Sequence, residues 1–137
     1  MILACQRADK HKSWQFPQGG VDPGESIEVA ARRELLEEIG TTRISILATL
    51  ESPIRYDWPV KYIPIPGFHG QEQYYFLVQL LEDAVINLEN HEPQEFQDYL
   101  WVSVKEFFEL EIGFKEETYR KALALFISKF PNTILEE

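Results

Sequence analysis

The chain has a single cysteine and a single methionine among its 137 residues, and only 13 Lys and Arg against 23 Asp and Glu. A lone cysteine, Cys5, excludes an internal disulfide framework and a cysteine-rich zinc site. Set in an apolar stretch, it reads as a small buried strand residue rather than a reactive thiol. No apolar run is long enough to cross a membrane, and the N-terminus lacks the charged, then apolar, then small-residue pattern of a signal peptide. These absences favour the cytoplasm and no membrane partner. A formal net charge of −10 argues against a broad basic surface that coats nucleic acid, so DNA is not an expected partner. It leaves room for gripping the end of one strand, where a metal site and a few cations would meet the phosphates. Repeats, low-complexity tracts and linkers are also missing. The expectation is one domain over 1–137, large enough for a hydrophobic core.

What the chain does have is concentrated in residues 19–41, GGVDPGESIEVAARRELLEEIGT. The spacing predicts a helix from about Ser26 to Ile39 with Gly40 as its stop. On it, Glu37 and Glu38 lie about 60° and 40° either side of Glu34, so three carboxylates point one way. Like charges at i,i+4 repel by roughly 0.2–0.5 kcal/mol per pair. Such a helix either solvates that face or collects a cation, and clustered carboxylate oxygens suit hard Mg²⁺ or Mn²⁺. Val29, Leu35, Leu36 and Ile39 are the expected core stripe on the opposite side.

Around this helix the pattern is mostly β. Ile2–Arg7 reads as a strand, as does the short Trp14–Phe16 piece stopped by Pro17. Ile44–Leu50, Gln73–Leu81 (a candidate central strand) and Tyr99–Val104 follow. Residues 51–70 hold four prolines and read as a long irregular excursion, of the kind that is functional or mobile. A closing helix over about Glu116–Phe130 carries Tyr119, Ala122, Leu123, Phe126, Ile127 and Phe130 at core spacing. A mixed sheet between helical layers accommodates this order. The histidines His11, His69 and His91 show no metal-ligand spacing, and no Ser–His or Cys–His arrangement suggests covalent catalysis.

Gly19, Glu25, Arg33-Glu34-Leu35, Glu37-Glu38 and Gly40, in that register, resemble the Nudix box at every fixed charged and glycine position. Thr41 departs from it, standing where the box has a bulky aliphatic residue. The resemblance extends along nearly the whole chain to bacterial RNA 5′ pyrophosphohydrolases, which also cleave diadenosine polyphosphates. It is carried by Ser13-Trp14-Gln15-Phe16-Pro17-Gln18-Gly19-Gly20, Arg55-Tyr56, Gly70-Gln71, Gln73, Tyr75-Phe76, Glu95-Phe96, Trp101-Val102-Ser103, Phe114-Lys115 and Tyr119-Arg120. It implies an α/β fold, a Nudix-type α/β/α sandwich with a mixed sheet. An Arg-Pro-containing strand that precedes the equivalent of Ile2–Arg7 in this group is not in the chain, so an exposed sheet edge is expected.

The resemblance implies phosphoanhydride hydrolysis with Mg²⁺ or Mn²⁺, more than one ion being held once substrate is bound. Glu34 and Glu38 become the principal metal ligands, Glu37 a direct or water-mediated one, and Glu95 a further ligand or base from across the site. The Gly19 carbonyl is an additional candidate ligand. Glu34 and Glu95 both remain candidates for the general base. Arg33 is either a phosphate clamp or an internal partner of the box carboxylates, and Glu25 a support for the loop-to-helix turn. Phe114 and Lys115 are expected to hold a base by stacking and a phosphate by charge, with Arg7, Gln18, Arg55 and Tyr75 as further substrate contacts. The expected substrate is the 5′-triphosphate end of RNA, cleaved to a 5′-monophosphate in mRNA decay. A dinucleoside polyphosphate hydrolase and a non-catalytic nucleotide-sensing module are the alternatives.

Overall fold

A computed structural model describes residues 1–57 and 70–135. The excursion expected over 51–70 falls largely on 58–69, outside the described residues. Strand β1 (Ile2–Arg7) pairs antiparallel with the two-residue β2 (Trp14–Gln15) and with β7 (Phe96–Val102), giving the order β2-β1-β7. Helix α1 (Ile27–Ile39) leads to β3 (Ile44–Thr49) and β4 (Ile54–Asp57). β5 (Gly70–Gln73) pairs with β4, and β6 (Phe76–Leu80) pairs with β3. Then come α2 (Val104–Phe107), α3 (Glu116–Lys129) and α4 (Pro131–Ile134).

The α/β class is the expected one. Among the described residues all pairings are antiparallel, in three small sheets. The run expected as one strand over Gln73–Leu81 breaks at Tyr74-Tyr75. In register, Thr49 faces Phe76 and Ile54 faces Gln73, so Leu50–Pro53 stand opposite only two residues. Pro53 cannot donate to a ladder, and Leu50 N–H donates instead to the Tyr75 carbonyl at 3.0 Å. β3–β4 and β5–β6 thus form one long hairpin, bent where four residues oppose two. β6 is hydrogen-bonded to β3 alone among the described strands, which leaves its other edge facing the cavity described below.

Two apolar clusters share the space behind α3. Ala4, Val102, Phe107, Ile112 and Tyr119 form one, with Phe16 stacked on Phe107 at 4.5 Å between ring centroids. Leu50, Ala122, Leu123, Phe126 and Ile134 form the other. The expected α3 stripe is buried at Tyr119, Ala122, Leu123 and Phe126 and half-buried at Ile127 and Phe130. A third cluster joins Cys5, Ile39 and Phe96, so Cys5 is a core residue whose thiol burial pushes up to about 12. α2 was not anticipated, although Ser103 and Glu106 spell a capping box. Glu106 N–H donates to Ser103 Oγ at 3.1 Å, and Ser103 N–H to Glu106 Oε1 at 2.9 Å.

The orientation of α1 corrects the expected core stripe. Val29 is 53% exposed and Leu36 39%, whereas Glu38 is 5% exposed and Ala30 4%. Leu35 is half-buried and Ile39 fully buried. The carboxylate side of the helix therefore faces the body of the protein, and the small residues Ala30 and Ala31 let it come close.

Candidate active site

Both ends of α1 are capped. At its N-terminus the Ser26 Oγ accepts from Val29 N–H at 3.1 Å. At its C-terminus Gly40, at φ 74°, donates to the Leu35 and Leu36 carbonyls at 3.2 and 3.0 Å. A Cβ at Gly40 would lie 2.5 Å from the Asn87 carbonyl oxygen, so no other residue fits without moving backbone.

Gly19 performs a similar service for one carboxylate. A Cβ on it would sit 1.8 Å from Glu34 Cδ, which means that the loop lies directly against that side chain. Arg33 closes the other side. Its Nε and Nη2 donate to Glu25 Oε2 and Oε1 at 2.8 and 2.9 Å, Nη1 to Glu34 Oε1 at 2.8 Å, and Nη2 also to the Gly20 carbonyl at 2.8 Å. Glu37 Oε2 is 3.6 Å from Nη1. Of the two roles left open for Arg33, the geometry is that of the internal partner, a guanidinium fork tying loop to helix. The hydrogen bonds from Arg33 and from Asp22 N–H hold the Glu25 carboxyl down at about 2.

Two of the carboxylates are held in conditions that resist ionisation. Burial, then repulsion from Glu34 and Glu95, pushes Glu38 up to about 8, although Gln18 N–H donates to its Oε2 at 2.9 Å. Burial also raises Glu34, against the pull of Arg33 and with further repulsion from Glu37 and Glu95. Glu95 itself is exposed in the loop that leads into β7, and its backbone carbonyl accepts from Ala8 N–H at 2.9 Å. Among the described residues no three His, Cys, Asp or Glu side chains already stand as a metal cage. The chemistry of the donors nonetheless fits a hard divalent cation. Clustered, partly desolvated carboxylates raise one another's pKa, and a bound cation reverses that effect.

Opposite this acidic group lies a cation. Lys115 is 7% exposed and stands at the N-terminal boundary of α3. Its Nζ donates to Gln18 Oε1 and lies 5.4 Å from the centre of the Tyr56 ring. Burial, then repulsion from Arg7, lowers it to about 8, with Glu38 acting the other way. Gln73 Nε2 donates to the same Gln18 oxygen at 2.9 Å, and the Tyr75 hydroxyl donates to Gln73 Oε1 at 3.1 Å. Phe114 is 45% exposed, its ring 6.0 Å from that of Tyr56.

The structure thus brings Gln18, Gly19, Glu34, Glu38, Tyr75 and Lys115 together, with Glu95 and Arg7 near enough to act on them electrostatically. Arg55 stands apart: it is exposed on β4 and paired with Asp57 at 3.3 Å. Arg7 is paired with Asp9. Tyr56 was not singled out, yet alternation in Ile54–Asp57 turns it inward between Lys115 and Phe114, with its hydroxyl donating to Gln71 Oε1 at 2.8 Å. A cavity of about 630 Å³ opens between α1, α3 and the β5–β6 strand, with Gln18, Gly19, Glu34 and Tyr75 in its wall.

The chain is similar to known proteins along most of its length. A family model described as NUDIX domain matches residues 1–126. The RNA pyrophosphohydrolase of Campylobacter jejuni (strain 81-176) is 44% identical over 129 residues, spanning 93% of this chain and 82% of the relative. The RNA pyrophosphohydrolase of Nitratiruptor sp. is 46% identical, spanning 91% and 81%. Among solved structures, a C. elegans Ap4A hydrolase binary complex superposes with a TM-score of 0.66 at 21% identity, over 93% of this chain and 87% of that one. The E. coli dihydroneopterin triphosphate pyrophosphohydrolase gives 0.64 at 22%, over 93% and 85%. At such identities these two structures speak for the fold.

Proposed function

The chain belongs to the NUDIX domain family and is a Nudix hydrolase, and on that premise we propose that it removes pyrophosphate from the 5′-triphosphate end of RNA. The observation that carries this reading is the pairing of an acidic group with a buried cation. Glu34 and Glu38 stand on one side, Lys115 on the other, and Gln18 lies between them. A phosphoanhydride needs both, because its anionic oxygens repel an attacking water. The identity with RNA pyrophosphohydrolases of other bacteria supports RNA as the substrate. The reaction would leave a 5′-monophosphate and so promote mRNA decay, in the cytoplasm.

Glu34, Glu37, Glu38 and Glu95, with the Gly19 carbonyl, would hold Mg²⁺ or Mn²⁺, which supplies charge neutralisation and a more acidic water. Arg33 keeps Glu34 and Glu37 turned toward that position. Glu95, exposed and on a separate loop, is the better placed general base, because Glu34 is already engaged by Arg33. Lys115 and Arg7 would meet the phosphates, and Phe114 beside Tyr56 would stack on the first base.

The decisive assay offers a 5′-triphosphate RNA oligonucleotide and diadenosine tetraphosphate in parallel with Mg²⁺, with products resolved. Release of pyrophosphate from the RNA at the higher kcat/KM is expected. Preferential cleavage of the dinucleotide would replace this reading with a dinucleoside polyphosphate hydrolase. Tight binding without turnover would replace it with a nucleotide-sensing module.

A further inference from the structure

Gln18 is bonded to both sides of the site through different parts of itself. Its backbone N–H donates to Glu38 Oε2, while its side-chain Oε1 accepts from Lys115 Nζ and Gln73 Nε2. An ammonium only donates, so the amide oxygen, not its NH₂, must face Lys115. Because that oxygen accepts, Gln73 must present its NH₂ to it, which leaves Gln73 Oε1 to accept from the Tyr75 hydroxyl. With two donors on one oxygen, both lone pairs of Gln18 Oε1 are committed.

Lys115 needs such an anchor. It is buried at the start of α3, where the first backbone N–H groups present positive charge and an ammonium is disfavoured. We propose that Gln18 is a positioning residue, whose side chain holds the Lys115 ammonium at a set distance from the Glu34 and Glu38 carboxylates so that one polyphosphate can span the two. This deepens the reading above and rests on it for the identity of the substrate. A neutral amide suits the task. It accepts from Lys115 strongly enough to place it, and yields it to an incoming phosphate, which is the stronger acceptor. A carboxylate at the same position would hold Lys115 in a salt bridge and compete with the substrate.

The test is a double-mutant cycle of Gln18→Met and Lys115→Met, with Gln18→Glu as a variant that keeps an acceptor. Turnover of 5′-triphosphate RNA and calorimetric binding of inorganic tripolyphosphate are both measured in Mg²⁺. Gln18→Met should raise KM and weaken tripolyphosphate binding on the order of tenfold, with kcat changed far less. In the Lys115→Met background the same substitution should add less than about twofold. Gln18→Glu should also weaken tripolyphosphate binding, at an unchanged melting temperature. Multiplying effects in the double variant, a fall in kcat at constant KM, or parent-like binding by Gln18→Glu would each overturn the proposal. A parent protein that binds tripolyphosphate but cleaves no RNA would end the reading of RNA as substrate instead, and the binding cycle would still decide the role of Gln18.

Discussion

Helix α1 is conventional at its caps, with Ser26 at its start and Gly40 as its stop, and unusual along its inward face, where Glu38 is buried in the last turn. Helix α3 is the reverse. Its middle buries Tyr119, Ala122, Leu123 and Phe126, but its start carries no side-chain cap and a buried Lys115 instead. Each departure costs stability by itself, since a charge taken out of water must be compensated. The two have opposite sign and meet across Gln18. Local rules are broken where function is concentrated, and under the proposed function the acidic break would take a metal and the cationic one a phosphate.

The strongest way to break this comparison is to neutralise the inward face of α1. Glu38→Gln keeps an acceptor for Gln18 N–H but loses the charge, and kcat should fall on the order of 10²–10³-fold or more. The same variant has a stability signature in metal-free protein. Glu38 has an ordinary value of 4.5 and about 8 when folded, so between these values the folded state retains a proton that the unfolded state has lost. The contribution of Glu38 to stability is therefore largest below 4.5 and declines as pH rises toward 8. Melting temperatures across that window should show the decline in the parent and a smaller one in Glu38→Gln. Parent-like turnover by the variant would remove Glu38 from the site.

Gly19→Ala moves a neighbour rather than a charge. The new methyl would displace the Glu34 carboxyl, against which Gly19 packs, and a shift of about 1 Å costs up to roughly 10²-fold in rate. The displaced atoms end a flexible side chain, so thermal stability should change little. An alanine variant that retains the parent kcat would show that the position of Glu34 is not set by this loop.

How much of this contrast was legible beforehand differs between the two helices. The bounds of α1 follow from Ser26 and Gly40, and the α3 stripe follows from spacing alone. The inward face of α1 did not, because periodicity assigns glutamates to solvent, and only tertiary packing puts Ala30 and Glu38 inside. That Gln18, Glu34, Glu38 and Lys115 would lie near one another follows from the motif and its flanking segments, whereas their connections, and the separate position of Arg55, do not. No spacing rule links Gln18 to Lys115, 97 positions away, or turns Tyr56 toward both Lys115 and Phe114. The hairpin bend at Leu50–Pro53 escaped for a related reason: Pro53 signals an interruption without saying which opposite residues it unpairs.

The cationic side should respond more mildly. Lys115→Met is expected to raise KM for triphosphate RNA on the order of tenfold. Its stability signature lies at higher pH than that of Glu38. Lys115 has an ordinary value of 10.5 and about 8 when folded, so between them the unfolded state binds the extra proton and stability rises with pH. Below 8 both states are charged and the burial cost is present in full. Urea unfolding of the parent from pH 8 to 10 should show the rise, and Lys115→Met should flatten it. A parent with no rise would mean that Lys115 is solvated well enough to stay charged.

The smallest effect is expected from the conventional part of α1. Ser26→Ala removes the acceptor for Val29 N–H and should cost about 1 kcal/mol, read as a lower urea midpoint at constant m. Ser26 and Val29 are both exposed and neither touches the carboxylate side, so kcat and KM per folded molecule should match the parent. That separation is what the comparison requires. If Ser26→Ala lowered kcat as well, the cap would be setting the rotational position of the helix and with it the direction of Glu34 and Glu38. The caps of α1 would then belong to the catalytic apparatus as much as its inward face does.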